Sequence, residues 1–169
     1  MVVTASGIAG QGVFAEKPFL EGQTVLAIDD SRIVDELNPL GPGEDARHCD
    51  YLARGTVVLM QPPECFINHC CQPNTYVKTV DGRRLVIALR NIASGEEITY
   101  DYCINGGGDT VWTCQCGAER CRHVIHSDFF HLPSELQREY LPLLDSWFRE
   151  ERAAEVQRLQ NLIQYPVLG

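Results

Sequence analysis

Cys65-Phe66-Ile67-Asn68-His69-Cys70-Cys71-Gln72-Pro73-Asn74 sets amide side chains, an imidazole and two adjacent thiols around one proline, directly behind an apolar pair. Pro73 bars helix continuation and biases Gln72 toward extended or turn geometry, so these groups follow a sharp, fixed path and do not share a helix face. Taken alone, the stretch reads either as a turn rich in Asn and Cys or as a site. What decides between them lies about 40 residues downstream.

There, Trp112-Thr113-Cys114-Gln115-Cys116-Gly117-Ala118-Glu119-Arg120-Cys121 brings three thiols within eight residues. A structural Zn²⁺ site is tetrahedral and needs a fourth ligand, which must come from elsewhere. The Cys70-Cys71 pair is the natural donor, with His123 and Cys103 as substitutes. Eight cysteines behind an N-terminus that lacks the basic start and apolar run of a signal peptide point to metal ligands more than to disulfides, and to a reducing, intracellular setting. A secreted protein would weaken that argument. Because small metal sites supply on the order of 10 kcal/mol, zinc is expected to hold this tail to the core.

The 169 residues suffice for one domain with a real core. No apolar run is long enough to span a membrane. A net charge of -9 and a pI near 4.9 argue against direct nucleic-acid binding and favour a basic partner. Asp29 to Asp50 holds seven acids against Arg32 and Arg47, a net of -5, among Pro39, Gly41, Pro42 and Gly43. This loop-rich segment reads as a solvated face or as an acidic docking rim for a basic peptide.

Short strands are expected at Met1 to Thr4, Val25 to Ile28 and Val57 to Met60. Gly10-Gln11-Gly12-Val13-Phe14-Ala15 formally matches a dinucleotide-binding fingerprint, with Asp29 near the place of its acidic residue. Pro18 and Gly22 leave no room for the crossover helix, so the segment reads as strand, turn, strand and the oxidoreductase reading falls. Asp81-Gly82 joins two strands, Tyr76 to Val80 and Arg84 to Leu89. A further strand ends in Tyr100 and Tyr102 on one face. Gly106-Gly107-Gly108 reads as a mobile hinge. Ser134 with Gln137 signals a capped helix, Pro142 the first residue of a second, and Leu144, Trp147, Phe148, Val156, Leu159 and Ile163 one amphipathic face, packed on the core or serving a dimer.

The Gly10-Gln11-Gly12 loop, the Asn68 to Asn74 stretch, Gly95-Glu96-Glu97-Ile98-Thr99-Tyr100-Asp101-Tyr102 and the Cys114, Cys116, Cys121 tail together resemble the SET-domain protein lysine methyltransferases with a post-SET zinc motif, over about residues 7 to 124. The resemblance implies a mainly β fold of several small antiparallel sheets, a pseudoknot, a zinc-bound post-SET tail and C-terminal helices. It divides the chain into a SET domain at 1–105, a post-SET segment at 106–126 and a helical extension at 127–169. It also implies S-adenosyl-L-methionine as methyl donor, with Gly10, Gln11, Gly12, Asn68, His69, Tyr102 and Trp112 toward that cofactor. By the same resemblance Tyr102 is the catalytic tyrosine, and Tyr100 limits the product to one methyl by holding a water. Cys71 joins Cys114, Cys116 and Cys121 on Zn²⁺, leaving Cys70 spare.

Two positions depart from the family pattern: Cys65 stands where arginine is usual, and Ile28 where many members carry a channel tyrosine. With no cysteine-rich segment ahead of it, the chain resembles the small stand-alone SET proteins of bacteria and viruses. The expected substrate is a lysine in a basic, histone-like tail, in the cytoplasm or nucleus. The alternative is a non-catalytic SET-like module that binds such a tail.

Overall fold

The structure is a computed structural model and describes residues 1–164. Its strands are β1 (Val2–Ala5), β2 (Gln11–Phe14), β3 (Thr24–Ala27), β4 (Ile33–Val34), β5 (Cys49–Tyr51), β6 (Val57–Leu59), β7 (Asn68–His69), β8 (Thr75–Val80), β9 (Arg83–Ala88), β10 (Glu97–Tyr100), β11 (Val111–Thr113) and β12 (Val124–His126). The helices α1 (Ser134–Tyr140), α2 (Ser146–Glu151) and α3 (Ala153–Gln164) follow. The strands form four small sheets, ordered β1-β2-β10-β7, β3-β9-β8, β4-β6-β5 and β11-β12. All the pairings are antiparallel except β7 with β10, where Asn68 lies opposite Thr99 and His69 opposite Tyr100. That parallel pair sets the Asn-His segment beside the tyrosine strand.

Local chemistry explains the turns. At the β8-β9 tip Asp81 and Gly82 have φ of 49° and 75°, the paired left-handed conformations that a two-residue hairpin needs. The strand, turn, strand reading of the glycine loop holds: β1 and β2 pair from Val2 opposite Phe14 to Ala5 opposite Gln11.

Strands this short cannot bury much alone, and the sheets share two cores. One gathers Val13, Ala15, Phe19, Val25, Ile67, Val86, Ala88, Ile92 and Ile98. The other joins Cys71, Cys103, Ile104, Cys114 and Ile125 to Phe129, Leu132, Leu136, Tyr140, Leu144, Phe148, Val156 and Leu159. The C-terminal helices therefore pack on the cysteine tail.

Several expectations are corrected. Gly106 is no free hinge: a Cβ there would stand 1.9 Å from the Ser127 carbonyl oxygen and 2.8 Å from that of Tyr102, so glycine is required by a close backbone crossing. Its amide donates to Cys103 O, and Phe129 N donates to its carbonyl. Ser134 is the first residue of α1 and not its cap, because extended Pro133 occupies that place. The Gln137 amide reaches back instead to the carbonyls of Phe130 and Leu132, at 3.0 and 2.8 Å. Pro142 sits in a single 3-10 turn, Leu141–Leu143, and the next α-helix starts only behind Asp145. The expected amphipathic face is split between α2 and α3, since Arg152 leaves helical geometry with φ -108° and ψ 31°. Its guanidinium lies 4.8 Å from the Phe130 ring centre and is paired with Asp128 and Glu155. Leu144, Phe148, Val156 and Leu159 are buried, but Ile163 is 37% exposed.

Candidate active site and cysteine cluster

Asn68 links the β1-β2 loop to β10. Its amide nitrogen lies 2.9 Å from Gln11 O, 3.3 Å from Ala9 O and 2.8 Å from Glu97 Oε1. Ser6 Oγ donates to both Glu97 oxygens, at 2.8 and 3.0 Å. Gly12 fits because a Cβ would meet Glu97 Oε1 at 2.3 Å. Glu97 is thus the post on which the glycine loop is hung, and neither it nor Ser6 stood out in the sequence. The only local signal was an acid inside the apolar alternation of β10.

The aromatic groups converge on His69. Its ring meets Tyr102 and Trp112 edge-on, with centres 5.3 and 5.6 Å apart, and Trp112 is carried there by the β11-β12 hairpin. His69 Nδ1 accepts the Tyr102 backbone N–H at 3.1 Å, which leaves the ring proton on Nε2, 3.4 Å from Cys71 Sγ. Burial, with Arg122 nearby and against the pull of Asp101, brings the His69 pKa down to about 4, so the ring is neutral at pH 7.

Tyr102 lies just past the end of β10, in a turn, where the sequence suggested strand. Its ring still meets Tyr100 at 4.9 Å. The turn lets the Tyr102 hydroxyl donate to Ile67 O at 2.7 Å. Burial pushes both phenol pKa values up, so both hydroxyls stay protonated donors.

Two cavities meet at Tyr102. The smaller, about 200 Å³, is lined by Ala9, Asn68, His69, Tyr102, Trp112 and Gln115 among others. The larger, about 720 Å³, runs past Asp50, Tyr100, Tyr102, Asp109, Trp147 and Glu151. Tyr102 is the one residue common to the two linings among the described residues. Gly10, Gln11 and Gly12 line neither; the glycine loop reaches the smaller cavity through Ile8 and Ala9. Trp147 and Glu151 bring α2 into the wall of the larger cavity, and Glu151 accepts the backbone N–H of Arg54. No sequence motif marked that role.

Cys71, Cys114, Cys116 and Cys121 place their sulfurs within 4.8 Å of one another. Four thiolates each about 2.3 Å from a tetrahedral ion would lie about 3.8 Å apart. Cys71 and Cys114 stand at 3.8 Å, and the Arg122 and Cys116 amides point at sulfurs of the cluster, at 3.4 and 3.5 Å. This donor set fits a structural Zn²⁺. Cys70 lies outside it, its sulfur 3.4 Å from both the amide and the carbonyl oxygen of Gln72. Burial pushes the Cys71 thiol up, and those of Cys70 and Cys114 to about 11. At Cys116 burial is outweighed by the Cys71 and Ala118 amides and the neighbouring thiols, which bring it to about 7. Ionising thiols this close together calls for a cation.

Much of the acidic run is committed internally. The buried Arg84 guanidinium binds Asp30 at 2.6 and 2.9 Å and also pairs with Asp50. Glu44 takes Arg32, which holds its carboxyl down to about 2, and Asp45 takes Arg47. Cys65 and Ile28, the two departures from the family pattern, are half-buried; Cys65 lines the larger cavity and Ile28 packs on the first core. Among the described residues no helix is long and apolar enough to cross a membrane.

The model of the SET domain matches residues 10–103. Over 138 residues, 75% of this chain, the sequence is 32% identical to Histone-lysine N-methyltransferase 2B of Homo sapiens, and the match covers 4% of that protein. It is 33% identical over 141 residues, 72% of this chain, to Histone H3-lysine(4) N-trimethyltransferase ATX1 of Arabidopsis thaliana, covering 13% of it. With Histone-lysine N-methyltransferase trithorax of Drosophila melanogaster it shares 46% identity over 65 residues, 36% of this chain and 2% of that one. The chain therefore spans a small part of the length of these curated relatives. The crystal structure of KRYPTONITE in complex with mCHG DNA and SAH shares the fold, with a TM-score of 0.56 at 21% identity over 72% of this chain and 28% of that one. The small sheets, the Asn-His and tyrosine segments side by side, and the family match over 10–103 agree: the chain belongs to the SET-domain family.

Proposed function

We propose that this chain transfers a methyl group from S-adenosylmethionine to the ε-amine of a lysine in a basic protein tail such as a histone's, and that it stops at one methyl. The observation that carries the reading is Tyr102 as the shared wall of two cavities, one beside Asn68, His69 and Trp112 and the other open toward α2. Relatives named as histone-lysine methyltransferases support it, as does the SAH held by the structural neighbour.

S-adenosylmethionine, when bound, supplies a methyl group activated on a sulfonium. Asn68, His69 and Trp112, with Ile8 and Ala9 at the head of the Gly10-Gln11-Gly12 loop, would hold it on the side of the smaller cavity. The lysine must arrive neutral, and deprotonating it at pH 7 costs about 4 to 5 kcal/mol from a reference pKa near 10.4. Loss of water beside the Tyr100 and Tyr102 rings would disfavour the charged amine, against the pull of Asp50, Asp109 and Glu151 along the larger cavity, so the proton would leave to water as the amine enters. Because Tyr102 spends its O–H on Ile67 O, its oxygen lone pairs remain free to accept from an electron-poor group beside it. Tyr100, its ring centre 4.9 Å from that of Tyr102, would limit the product to one methyl by holding a water where further methyl groups would go. The remaining acceleration is alignment across Tyr102.

Cys71, Cys114, Cys116 and Cys121 would hold Zn²⁺, which fastens the tail that carries Trp112. The working division is a SET portion at 1–105, a zinc-bound segment at 106–126 and a helical extension at 127–169. An intracellular protein, nuclear or cytoplasmic, that touches protein and not nucleic acid or membrane fits this reading; a dimer through the C-terminal helix is open to test by light scattering.

The test incubates zinc-loaded protein with labelled S-adenosylmethionine and basic proteins, then locates the modified lysine and its methyl count by mass spectrometry. Tyr102→Phe should abolish transfer while calorimetric cofactor binding survives; undiminished turnover removes Tyr102 from the chemistry. Folded, zinc-loaded protein that binds no cofactor would instead be a tail-binding module.

A further inference from the structure

Arg122 directly follows the last cysteine of the cluster, and two of its groups face different parts of the molecule. Its backbone N–H points at Cys71 Sγ, 3.4 Å away. Its guanidinium forks onto Asp101, with Nη1 2.6 Å from Oδ2 and Nη2 2.9 Å from Oδ1. The Asp101 side chain is fully buried and that of Arg122 is 12% exposed. Nη2 also reaches Cys103 Sγ at 3.5 Å. Asp101 accepts the Cys103 amide at 3.0 Å and stands 3.6 Å from His69 Nδ1, the atom that accepts the Tyr102 amide. One residue of the tail thus neutralises the carboxylate immediately before Tyr102.

The energetics make this contact consequential. A forked guanidinium-carboxylate pair fixes direction as well as distance. Removing one partner leaves a buried charge uncompensated, which is destabilising where the remaining group cannot reach water. Asp101 would then admit water or swing outward, and either response alters its bond to the Cys103 amide and the turn between them. Tyr102 is the residue inside that turn.

We infer that Arg122 is a positioning residue: through Asp101 it ties the cysteine cluster to the Asp101-Tyr102-Cys103 turn and so sets where the Tyr102 hydroxyl stands between the two cavities. The link to methyl transfer rests on the function proposed above; the link to the geometry of the turn does not. A plain anchor for the tail would act by keeping the metal and the tail in place, whereas a positioning residue acts while both remain.

The experiment uses the full zinc-loaded chain and compares Arg122→Met and Arg122→Lys with the unsubstituted protein. Zinc per chain, amide hydrogen exchange at Tyr102 and, with substrate, kcat and KM are measured. Arg122→Met should keep its zinc and its circular dichroism while exchange at Tyr102 rises at least about tenfold and kcat falls by a similar factor, since a local opening is eased without global unfolding. Arg122→Lys, which keeps the charge and loses the fork, should recover part of both. Unchanged Tyr102 exchange in zinc-loaded Arg122→Met overturns the inference. So does zinc loss equal to that of Cys71→Ser, which would make Arg122 an anchor only. If Arg122→Met does not fold, Asp101→Asn removes the same charge pair at little change of shape and must raise Tyr102 exchange in the same way. Exchange is read without cofactor, so it decides this inference even if the unsubstituted protein transfers no methyl group.

Discussion

The two cores of this molecule are built from different materials. The first, around Val13, Val86 and Ile98, is aliphatic apart from Phe19 and takes Val13, Val25, Val86, Ala88 and Ile98 from strands. The second mixes thiols, Cys71, Cys103 and Cys114, with the rings of Phe129, Tyr140 and Phe148, drawn from the tail and the helices. Area burial alone can hold the first. The second places four sulfurs within 4.8 Å of one another, an arrangement that favours a cation. Asn68, His69, Tyr100 and Tyr102 lie along the seam between them, so the candidate site draws its floor from one core and its cover, through Trp112, from the other.

Denying the cysteine cluster the Zn²⁺ proposed for it separates the two cores most strongly. Chelation, or Cys71→Ser, should release the tail at a local cost on the order of 10 kcal/mol, because a small zinc site supplies that much. Hydrogen exchange in β11-β12 should become fast while β8-β9 stays protected, and cofactor binding should weaken in parallel. Cys70→Ser should keep both zinc and tail; equal effects from the two cysteines would erase the division between the cores. Ile98→Ala strikes the other core and should cost about 2 to 5 kcal/mol in denaturant unfolding, with zinc per chain unchanged. Zinc loss in that variant would mean the cores are one. Gly106→Ala forces a methyl group onto the Ser127 carbonyl at the crossing into the tail. It should cost about 1 to 3 kcal/mol, and a neutral result would restore the hinge. Glu97→Gln, which weakens the post under the glycine loop, should have the smallest effect: about 1 kcal/mol of stability and about fivefold in cofactor affinity, measured by calorimetry.

Local chemistry was readable. Asp81-Gly82 announces its hairpin because two left-handed residues can hardly do anything else between two apolar strands. The spacing of Cys114, Cys116 and Cys121 announces a ligand set for the same kind of reason. The choice of Cys71 over Cys70 came from family resemblance, and the geometry puts the Cys71 sulfur beside Cys114 at 3.8 Å. What stayed hidden depends on partners far apart in the chain. Glu97 gains meaning from Ser6 and Asn68, Arg122 from Asp101, and Trp147 from a cavity whose other wall is Asp50 and Tyr100.

The opening Asn-His-Cys-Cys stretch shows where the line falls. Its sequence determined a rigid, polar path, because proline and amide chemistry act within a few residues. Only the tertiary structure decided that Asn68 holds the glycine loop, that His69 receives the Tyr102 amide and that Cys71 meets the tail thiols, since each of those contacts closes a loop of more than 30 residues. The three glycines at 106–108 teach the same lesson in reverse: composition reads as freedom, but the Ser127 and Tyr102 carbonyls leave Gly106 no room for a side chain, and steric exclusion is a property of neighbours.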